Sequence, residues 1–226
     1  MKSILKKIVK HPKVLRSVLA LMVALHNKLY AIISRLAVYS ENEGIHPKHR
    51  LQDYHQWYCK HLQRDWRVLD IGCGNGRLAC AMAEHCLTVT GIDLEADNVA
   101  QAKSSCDKPN VNIVCGDAVT YDFAATYDAV VLSNVLEHIE DRRSFLERIA
   151  SLADVFLIRV PLRDRDWLTL YKQEQGFSYM LDPTHFIEYT EDEILSELCL
   201  AGLSIESYRV RYGEFYCVAV RQQLRG

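Results

Sequence analysis

The feature that most constrains this chain is a glycine-rich turn that follows an apolar run. Residues 68–76 read Val-Leu-Asp-Ile-Gly-Cys-Gly-Asn-Gly, so glycine occupies every second position from Gly72 to Gly76. A strand that ends in such a loop can turn sharply and let a ligand approach the backbone, while the next helix directs its N-terminus at that ligand. The pattern predicts a strand, a ligand-binding turn and a helix in succession.

From Trp66 onward, segments typical of strands alternate with segments typical of helices. This alternation predicts an α/β domain with a parallel sheet covered on both faces. The predicted strands are 66–71, 87–92, 111–115, 127–132, 154–160, 205–211 and 215–221, and the predicted helices lie near 76–86, 96–105, 140–151 and 191–201. The last two strands are joined by a tight turn at Tyr212-Gly213, so they must pair antiparallel, because parallel neighbours need a long crossover.

The N-terminal segment has a different character, and we expect a helical extension over residues 1–49 before a single domain over 50–226. Apolar residues at positions 15, 18, 22, 25, 29, 32 and 36 predict an amphipathic helix whose pattern ends near Ser40. The apolar face has three interpretations: packing on the chain's own domain, a short coiled-coil seam between protomers, or a helix at a membrane interface.

Charge is unevenly distributed along the chain. Eight Lys and Arg residues and no acidic residue precede position 41, although the formal net charge of the whole chain is −2. A basic arm in front of an acidic domain favours an anionic surface as the arm's partner and argues against a nucleic-acid groove in the domain. The alternative is a solvated basic helix end.

The sequence also carries indications of location. The longest uninterrupted apolar run near the N-terminus, Val18–Leu25, is about a third of the length that crosses a bilayer, and no small-residue cleavage site follows it. The eight cysteines form no Cys-x-x-Cys pair, and several fall inside apolar runs. We therefore expect a reduced, cytoplasmic protein without a spanning helix, with contact to the inner membrane face left open.

Acidic residues end three consecutive predicted strands. Asp70 precedes the glycines, Asp93 closes the second strand 21 residues after Gly72, and Asp117 follows the third. A carboxylate at the second position can accept both hydroxyls of a ribose, as in an NAD-dependent dehydrogenase. Asp70 argues against that enzyme, because its charge repels pyrophosphate and attracts a cationic amino-acid-like group. Three carboxylates without a basic phosphate clamp indicate S-adenosylmethionine as the ligand.

Four segments in order resemble the successive motifs of the class I S-adenosylmethionine-dependent methyltransferases. They are Val68–Gly76, Gly91–Leu94, Gly116–Ala118 and Ser133–Ile139, and the resemblance covers roughly residues 50–221. It implies a Rossmann-like, seven-stranded, mostly parallel sheet with one antiparallel strand inserted last. It also implies a single cofactor site at the topological switch point of that sheet.

The resemblance assigns roles within the cofactor site. The glycine loop would cradle the methionine part, Asp93 would bind the ribose, Leu94 would pack on adenine, and Asp117 with Ala118 would read the adenine edge. The full set of cofactor-binding residues that we expect is Asp70, Gly72, Cys73, Gly74, Gly76, Asp93, Leu94, Asp117, Ala118, Ser133 and Asn134.

An insertion over residues 161–189 follows the fifth predicted strand and is rich in aromatic residues. A loop of this length in a compact domain is usually a binding segment or lid, although its aromatics would also suit a satellite core. The run Asp182–Thr190 resembles a segment of bacterial methyltransferases that act on sugars, glycolipids or secondary metabolites. The candidate substrate residues are Trp167, Tyr171, Tyr179, Asp182 and His185.

Two histidines are candidates for removing a proton from a hydroxyl acceptor. His138 lies just past the fourth strand, where small-molecule O-methyltransferases of the family often place a histidine, and it is the first choice. His185, with Asp182 three residues away to orient it, is the second. Either would also be explained as a hydrogen-bonded structural histidine, and Asn134 and Glu137 are expected to shape the site. The spacing of His, Asp and Glu indicates no dedicated metal site, and a site assembled from distant residues would leave no such trace.

The leading hypothesis is therefore O-methylation of a small molecule, sugar or glycolipid with S-adenosylmethionine as cofactor. Alternatives are N- or C-methylation of a quinone or lipid precursor, and a cofactor-binding module without turnover. Ser133-Asn134-Val135 is neither the Pro-Pro-Tyr type of turn nor the cysteine loop used on nucleic-acid bases. We thus expect a small-molecule or glycan acceptor, no nucleic acid, and membrane contact or dimerisation through the N-terminal helix.

Overall fold

The computed structural model describes residues 11–41, 46–123 and 125–222 of the 226-residue chain. Its contacts divide the chain into two compact units. The first unit contains the residues up to Gln52 together with Asp166–Tyr179, and the second contains Asp53–Arg165 and the residues from Met180 onward. Part of the predicted basic arm (Lys2, Lys6, Lys7 and Lys10) and residues 42–45 lie outside the described residues.

The elements follow the predicted alternation closely. The α-helices are α1 (Pro12–Ser40), α2 (Pro47–Gln52), α3 (Tyr54–Lys60), α4 (Arg77–Met82), α5 (Ala96–Ser105), α6 (Arg142–Ile149), α7 (Trp167–Glu174) and α8 (Glu191–Leu200). The strands are β1 (Arg67–Ile71), β2 (Thr88–Asp93), β3 (Val111–Cys115), β4 (Ala129–Ser133), β5 (Val155–Pro161), β6 (Leu203–Arg211) and β7 (Glu214–Arg221). Two short 3₁₀ turns, Leu136–His138 and Arg163–Arg165, follow β4 and β5.

The first unit is built on α1, which confirms the helix predicted from apolar spacing. Proline at its first position is favourable, because the helix leaves the first N–H groups unpaired and proline has none. Lys172 of α7 donates a hydrogen bond to Asn27 Oδ1 (2.7 Å), and Asn27 donates to the carbonyl of Ser178 (3.0 Å). These polar contacts hold the middle of α1 to the α7 segment.

Within the described residues, α1 is the one helix that is long and apolar enough to cross a membrane, by length and composition alone. The expectation that no helix spans a membrane considered only the run Val18–Leu25, and it stays a prediction for the 29-residue helix as a whole. A run of apolar side chains on one face of α1 is exposed, at Val14, Leu21, Leu25, Leu29, Ile32, Leu36 and Tyr39. We call these seven residues the apolar face of α1.

The second unit contains a seven-stranded sheet in the order β3-β2-β1-β4-β5-β7-β6. Strands β1 to β5 pair parallel, and β7 pairs antiparallel with both β5 and β6. This order confirms the predicted Rossmann-like sheet with its last strand inserted antiparallel. The order reverses between β1 and β4, so the carboxyl ends of these two strands flank the switch point where such sheets bind ligands.

The central strands are buried on both faces, which explains their nearly continuous apolar sequences. On one face Leu69, Val130 and Phe156 belong to the larger core cluster, while Val68 and Val131 belong to the cluster on the opposite face. Each of these side chains is completely buried. The central sheet is therefore a rigid platform for the loops at its carboxyl edge.

The insertion closes on itself at its base. The backbone N–H of Tyr189 donates to the carbonyl of Pro161 (3.2 Å), and that of Arg163 donates to the carbonyl of Tyr189 (2.8 Å). The start and end of the insertion therefore leave the sheet side by side. Its interior contains α7, which the sequence interpretation treated as loop, and Asp166 caps this helix by accepting from the Thr169 N–H (2.7 Å).

The expectation that all the cysteines are reduced is wrong for one pair. Cys80 on α4 and Cys106 at the end of α5 are joined by a disulfide, with their Cα atoms 5.8 Å apart. The pair is separated by 26 positions in sequence, so it escapes a search for closely spaced cysteines. The bond links the helix after the glycine loop to the helix after Asp93.

Candidate functional site

The glycine loop adopts the conformation that its sequence indicates. Gly72, Gly74 and Gly76 all have positive φ angles, of 68°, 54° and 76°. A Cβ added to Gly72 would lie 2.8 Å from Val135, and one added to Gly76 would lie 2.7 Å from Ala102. A Cβ on Gly74 would meet nothing within 4 Å. The outer two glycines are therefore required by packing, whereas the middle one leaves open space beside the loop.

Asp70 lies at the switch point, one residue before the end of β1, and is buried. Neither carboxylate oxygen has a hydrogen-bond partner among the residues that the structure describes. Burial, aided by the nearby charge of Asp93, raises the pKa of Asp70 to about 8. A buried carboxyl without a donor fits a site that receives a cationic ligand group, because such a group would stabilise the carboxylate.

Asp93 closes β2 and is tied to the protein by three hydrogen bonds. Its Oδ2 accepts from the Gly74 N–H (2.7 Å), and its Oδ1 accepts from the Glu95 N–H (3.0 Å) and from Asn98 Nδ2 (3.1 Å). This carboxylate therefore holds the glycine loop against the start of α5. The predicted ribose contact stays a prediction, and it would use the acceptor capacity that these bonds leave.

The remaining predicted cofactor residues differ in exposure. Leu94 is 65% exposed and Asp117 is also exposed, so both are available at the surface beyond β2 and β3. Asp117 stabilises its own turn by accepting from the Val119 N–H (2.9 Å). The side chain of Cys73 is buried in the core, where it would block a Cβ on Gly91. Ala118 and Ser133 are half-buried.

Asn134 follows β4 in a left-handed conformation, with φ of 58°, that few residues other than glycine adopt. Its amide donates to Glu137 Oε1 (2.8 Å) and to Glu214 Oε2 (3.3 Å). Strained backbone of this kind is maintained where surrounding contacts enforce it. Here Asn134 fixes the turn that leads from β4 to the first candidate histidine.

The structure brings the two candidate histidines together. The ring centroids of His138 and His185 lie 4.7 Å apart in an edge-to-face arrangement. The Phe186 N–H donates to the carbonyl of Glu137 (2.8 Å), which joins the end of the insertion to the turn after β4. We call Glu137, His138 and His185 the histidine cluster.

His138 is held by a short chain of hydrogen bonds. Its Nδ1 lies 3.0 Å from Thr184 Oγ1, and Thr184 Oγ1 donates to Asp182 Oδ1 (2.6 Å). Because the single hydroxyl proton is committed to Asp182, Nδ1 of His138 must be the protonated nitrogen and Nε2 keeps its lone pair. Although His138 is exposed, partial desolvation, followed by the neighbouring His185, lowers its pKa and so favours this neutral ring.

His185 has a different partner from the one the sequence interpretation gave it. Its Nδ1 lies 3.1 Å from Glu188 Oε1, whereas Asp182 hydrogen-bonds to Thr184. The expectation that Asp182 orients His185 is therefore wrong: Asp182 acts on His138 through Thr184. The carboxylate on Nδ1 leaves Nε2 of His185 as the free ring nitrogen.

Glu188 was not recognised from the sequence. It is completely buried and also accepts hydrogen bonds from Arg165 and from the Leu181 N–H. Burial alone would raise its pKa, but the hydrogen bonds from His185, Leu181 and Arg165 lower it. The His185-x-x-Glu188 spacing was the available signal, and it became meaningful only once the fold of the insertion was known.

Glu137, expected to shape the site, is completely buried within the cluster. Burial raises its pKa to about 7, although the hydrogen bond from Asn134 opposes that change. Its Oε2 has no hydrogen-bond partner among the described residues. The three aromatic candidates Trp167, Tyr171 and Tyr179 belong to the first unit, and their predicted role in binding substrate stays a prediction.

Comparisons with known proteins identify the domain. A family model described as "Methyltransferase domain" matches residues 68–154. A ubiquinone biosynthesis O-methyltransferase of Erwinia tasmaniensis is 31% identical over 133 residues, covering 54% of this chain and 55% of that protein. An (S)-tetrahydroprotoberberine N-methyltransferase of Eschscholzia californica is 29% identical over 104 residues, covering 43% of this chain and 30% of that protein.

The fold is also that of solved methyltransferases. The magnesium protoporphyrin IX methyltransferase of Synechocystis, solved with bound S-adenosylhomocysteine, superposes with a TM-score of 0.63 at 20% identity, covering 85% of this chain and 95% of that one. The chain spans about half the length of the first curated relative and less of the second. Together with the glycine loop and the carboxylates at the sheet edge, these matches identify residues 68–154 as a methyltransferase domain on the fold of the class I enzymes, whose cofactor is S-adenosylmethionine.

Proposed function

We propose that this protein transfers a methyl group from S-adenosylmethionine to a hydroxyl group of a small molecule, sugar or glycolipid. The observation that carries the choice of oxygen is the pair His138 and His185 beside the end of β4, each with Nδ1 occupied and Nε2 free. A hydroxyl nucleophile must lose its proton, and a neutral imidazole with a free Nε2 can accept one.

The cofactor, when bound, supplies an electrophilic methyl group on a sulfonium centre and becomes S-adenosylhomocysteine. The residues of the chain have two tasks around that reaction. Asp70 and the glycine loop would hold the cationic methionine part, and the histidine cluster would hold the acceptor oxygen in line with the methyl group. The hydroxyl proton would pass to Nε2 of His138, the first choice, or of His185, the second.

Other acceptors remain as alternatives. The two curated relatives include an O-methyltransferase and an N-methyltransferase, so relatedness alone does not choose the acceptor atom. N- or C-methylation of a quinone or lipid precursor would not need a base of this kind, and a module without turnover would bind the cofactor and release no product.

A labelled-methyl assay tests the proposal. The full chain is incubated with S-adenosylmethionine labelled in its methyl group and with matched acceptors: a catechol, its amine analogue, and hydroxylated glycolipids. We expect label in an O-methyl ether, identified by mass spectrometry. Label on nitrogen or carbon would contradict the oxygen assignment, and tight cofactor binding without any methylated product would support the inactive module.

We further propose that the protein lies at the cytoplasmic surface of a membrane rich in anionic lipids, with α1 in the plane of the interface. The apolar face of α1 is exposed, and its residues recur at steps of three, four and seven. Lys13, Arg16, Lys28 and Arg35 are exposed on the same helix, which contains no acidic residue. An apolar face combined with an excess of positive charge is complementary to an anionic bilayer surface.

Vesicle flotation tests this location. The chain should float with vesicles that contain phosphatidylglycerol, bind less to purely zwitterionic vesicles, and dissociate as salt is raised. Leu29→Asp with Ile32→Asp should abolish flotation, whereas the control Ser17→Asp should weaken it only slightly. Release by detergent but not by salt or alkaline carbonate would indicate a spanning helix instead. Salt-independent dimerisation that the double substitution abolishes would indicate a helical seam between protomers.

A further inference from the structure

The histidine cluster has a property that proton transfer does not require. One ligand atom each from Glu137, His138 and His185 can be chosen so that all three lie within 4.8 Å of one another. Two of these residues come from the turn after β4 and the third from the end of the insertion. Three potential ligands from two chain segments thus lie close together.

The hydrogen bonds around the cluster leave suitable atoms for coordination. Nδ1 of His138 is engaged by Thr184, and Nδ1 of His185 by Glu188, so both rings keep an Nε2 lone pair. A carboxylate or other acceptor on the far nitrogen is the usual support of a metal-binding histidine, because it fixes the ring and its tautomer. Both histidines therefore have the outer contacts of metal ligands.

Glu137 supplies an independent observation. Its side chain is completely buried, one oxygen is satisfied by Asn134, and Oε2 has no partner in the described structure. A buried carboxylate oxygen without a donor is costly unless something compensates it. A cation bound by the two histidines would provide that compensation.

We infer that Glu137, His138 and His185 form a binding site for a divalent transition-metal ion such as Mn²⁺, Fe²⁺ or Zn²⁺. Two imidazoles and one carboxylate suit such ions better than Mg²⁺ or Ca²⁺, which prefer oxygen ligands. Three protein ligands leave coordination positions open, as in catalytic rather than structural sites.

This inference deepens the proposed function and rests on it only for the identity of the molecule that would fill the open positions. A bound cation would polarise an acceptor oxygen and so favour its ionised form. The cation and a proton would compete for the same Nε2 lone pairs, so the two roles of the histidines are alternatives. Metal binding can be measured without any acceptor and is thus separable from methyl transfer.

Mn²⁺ is the most suitable probe, because the exposed Cys115 and Cys199 would attract softer ions. Untagged full-length protein, stripped with chelator, is titrated with Mn²⁺ and followed by electron paramagnetic resonance of the free ion. We expect one equivalent to bind, and an equal excess of Mg²⁺ to displace little of it. Absence of stoichiometric binding would overturn the inference, whatever the outcome of the methylation assay.

Variants localise the site. Glu137→Gln and His185→Ala should each weaken Mn²⁺ binding by at least tenfold, and Thr184→Val should weaken it by about 10- to 100-fold, as expected for an outer contact of a ligand. His85→Ala is the control, because His85 precedes β2 at the opposite end of the parallel strands from the cluster. This variant should bind Mn²⁺ as the unmodified protein does. Circular dichroism and the melting temperature show whether each variant folds. Equal binding by Glu137→Gln and His85→Ala would overturn the assignment, since the ion would then lie elsewhere.

Discussion

The two halves of the proposed site, one for the cofactor and one for the acceptor, are assembled in different ways. The cofactor half consists of the glycine loop with Asp70 and Asp93, and its parts are neighbours through the parallel register of β1 and β2. The acceptor half consists of the histidine cluster with its supports. There Thr184 and His138 touch although 46 positions separate them, because the base of the insertion closes between Pro161 and Tyr189.

The halves also differ in how their acidic groups are satisfied. In the acceptor half Glu188 and Asp182 accept hydrogen bonds from neighbouring residues, and this fixes the orientation of each histidine. In the cofactor half Asp70 has no donor among the described residues, and its pKa is raised. The two histidines are thus oriented by residues of the chain itself. Asp70 in the proposed cofactor half, like Glu137 Oε2 in the histidine cluster, has no donor among the described residues and would be stabilised by a bound cation.

The largest expected effect separates chemistry from cofactor binding. His138→Ala should lower kcat by about 10² to 10⁴, the usual contribution of general-base catalysis, with little change in affinity for S-adenosylhomocysteine. His138→Gln should be nearly as slow, because an amide does not accept a proton at neutral pH. Steady-state kinetics and calorimetry measure the two quantities.

Two outcomes would change the assignment of the proton acceptor. If His138→Ala keeps its activity and His185→Ala does not, the pair His185 and Glu188 carries the proton transfer. If both variants stay active, the acceptor is already nucleophilic and the hydroxyl assignment fails. His85→Ala is the matched control, since it removes a half-buried histidine outside the cluster.

Asp93→Ala should weaken cofactor binding and leave kcat largely unchanged, the reverse of the effect expected for His138→Ala. We expect affinity for S-adenosylhomocysteine to fall at least tenfold, because each charge-assisted hydrogen bond contributes about 1.5–3 kcal/mol. The loss would combine the predicted ribose contact with the released Gly74 N–H. At saturating cofactor, kcat should change far less than in His138→Ala. Calorimetry showing unchanged affinity would remove Asp93 from the cofactor half.

The smallest expected effect is a pH dependence of cofactor binding. A cationic ligand group favours ionised Asp70, whose pKa is raised to about 8 in the ligand-free protein, so binding should release a proton. Affinity for S-adenosylhomocysteine should therefore rise about fivefold between about pH 7 and pH 8. The measurement is calorimetry in buffers of different ionisation enthalpy, and Asp70→Asn should abolish the dependence.

The free energy of unfolding of the cofactor-free protein should fall as the pH rises, whereas the cofactor affinity should increase. The folded-state pKa of Asp70 lies above its unfolded value of about 3.9, so the folded state holds the proton more tightly. Its contribution to the free energy of unfolding is fully present below about pH 4 and is lost as the pH rises through about 8. A cofactor affinity that falls with pH over the same range would contradict the placement of Asp70 beside a cation.

Much of the fold could be predicted from local sequence. The tight turn at Tyr212-Gly213 occurs as predicted, and the capping box of Thr190 with Glu193 and the left-handed Gly202 mark the two ends of α8. These features depend on interactions between residues within a few positions of one another, so short sequence segments suffice to predict them. The alternation of apolar strands and amphipathic helices then restricts the topology to few solutions.

The features that escaped prediction involve distant residues. The disulfide between Cys80 and Cys106, the buried Glu188 beneath His185, and the position of Glu137 against His185 each join separate segments. The apolar length of α1 was judged from the run Val18–Leu25 alone, whereas basic and polar residues interrupt that run without ending the helix. Helix continuity depends on backbone hydrogen bonds, which these side chains do not break.

The sequence by itself therefore determined the sheet, the glycine loop and the acidic residues at the strand ends, and through them the methyltransferase fold and its cofactor. These depend on backbone conformation and strand register, which short segments encode. Only the tertiary structure decided which carboxylate supports which histidine and which three side chains form the histidine cluster. Those pairings depend on the two ends of a long insertion meeting between Pro161 and Tyr189, which are far apart in the sequence.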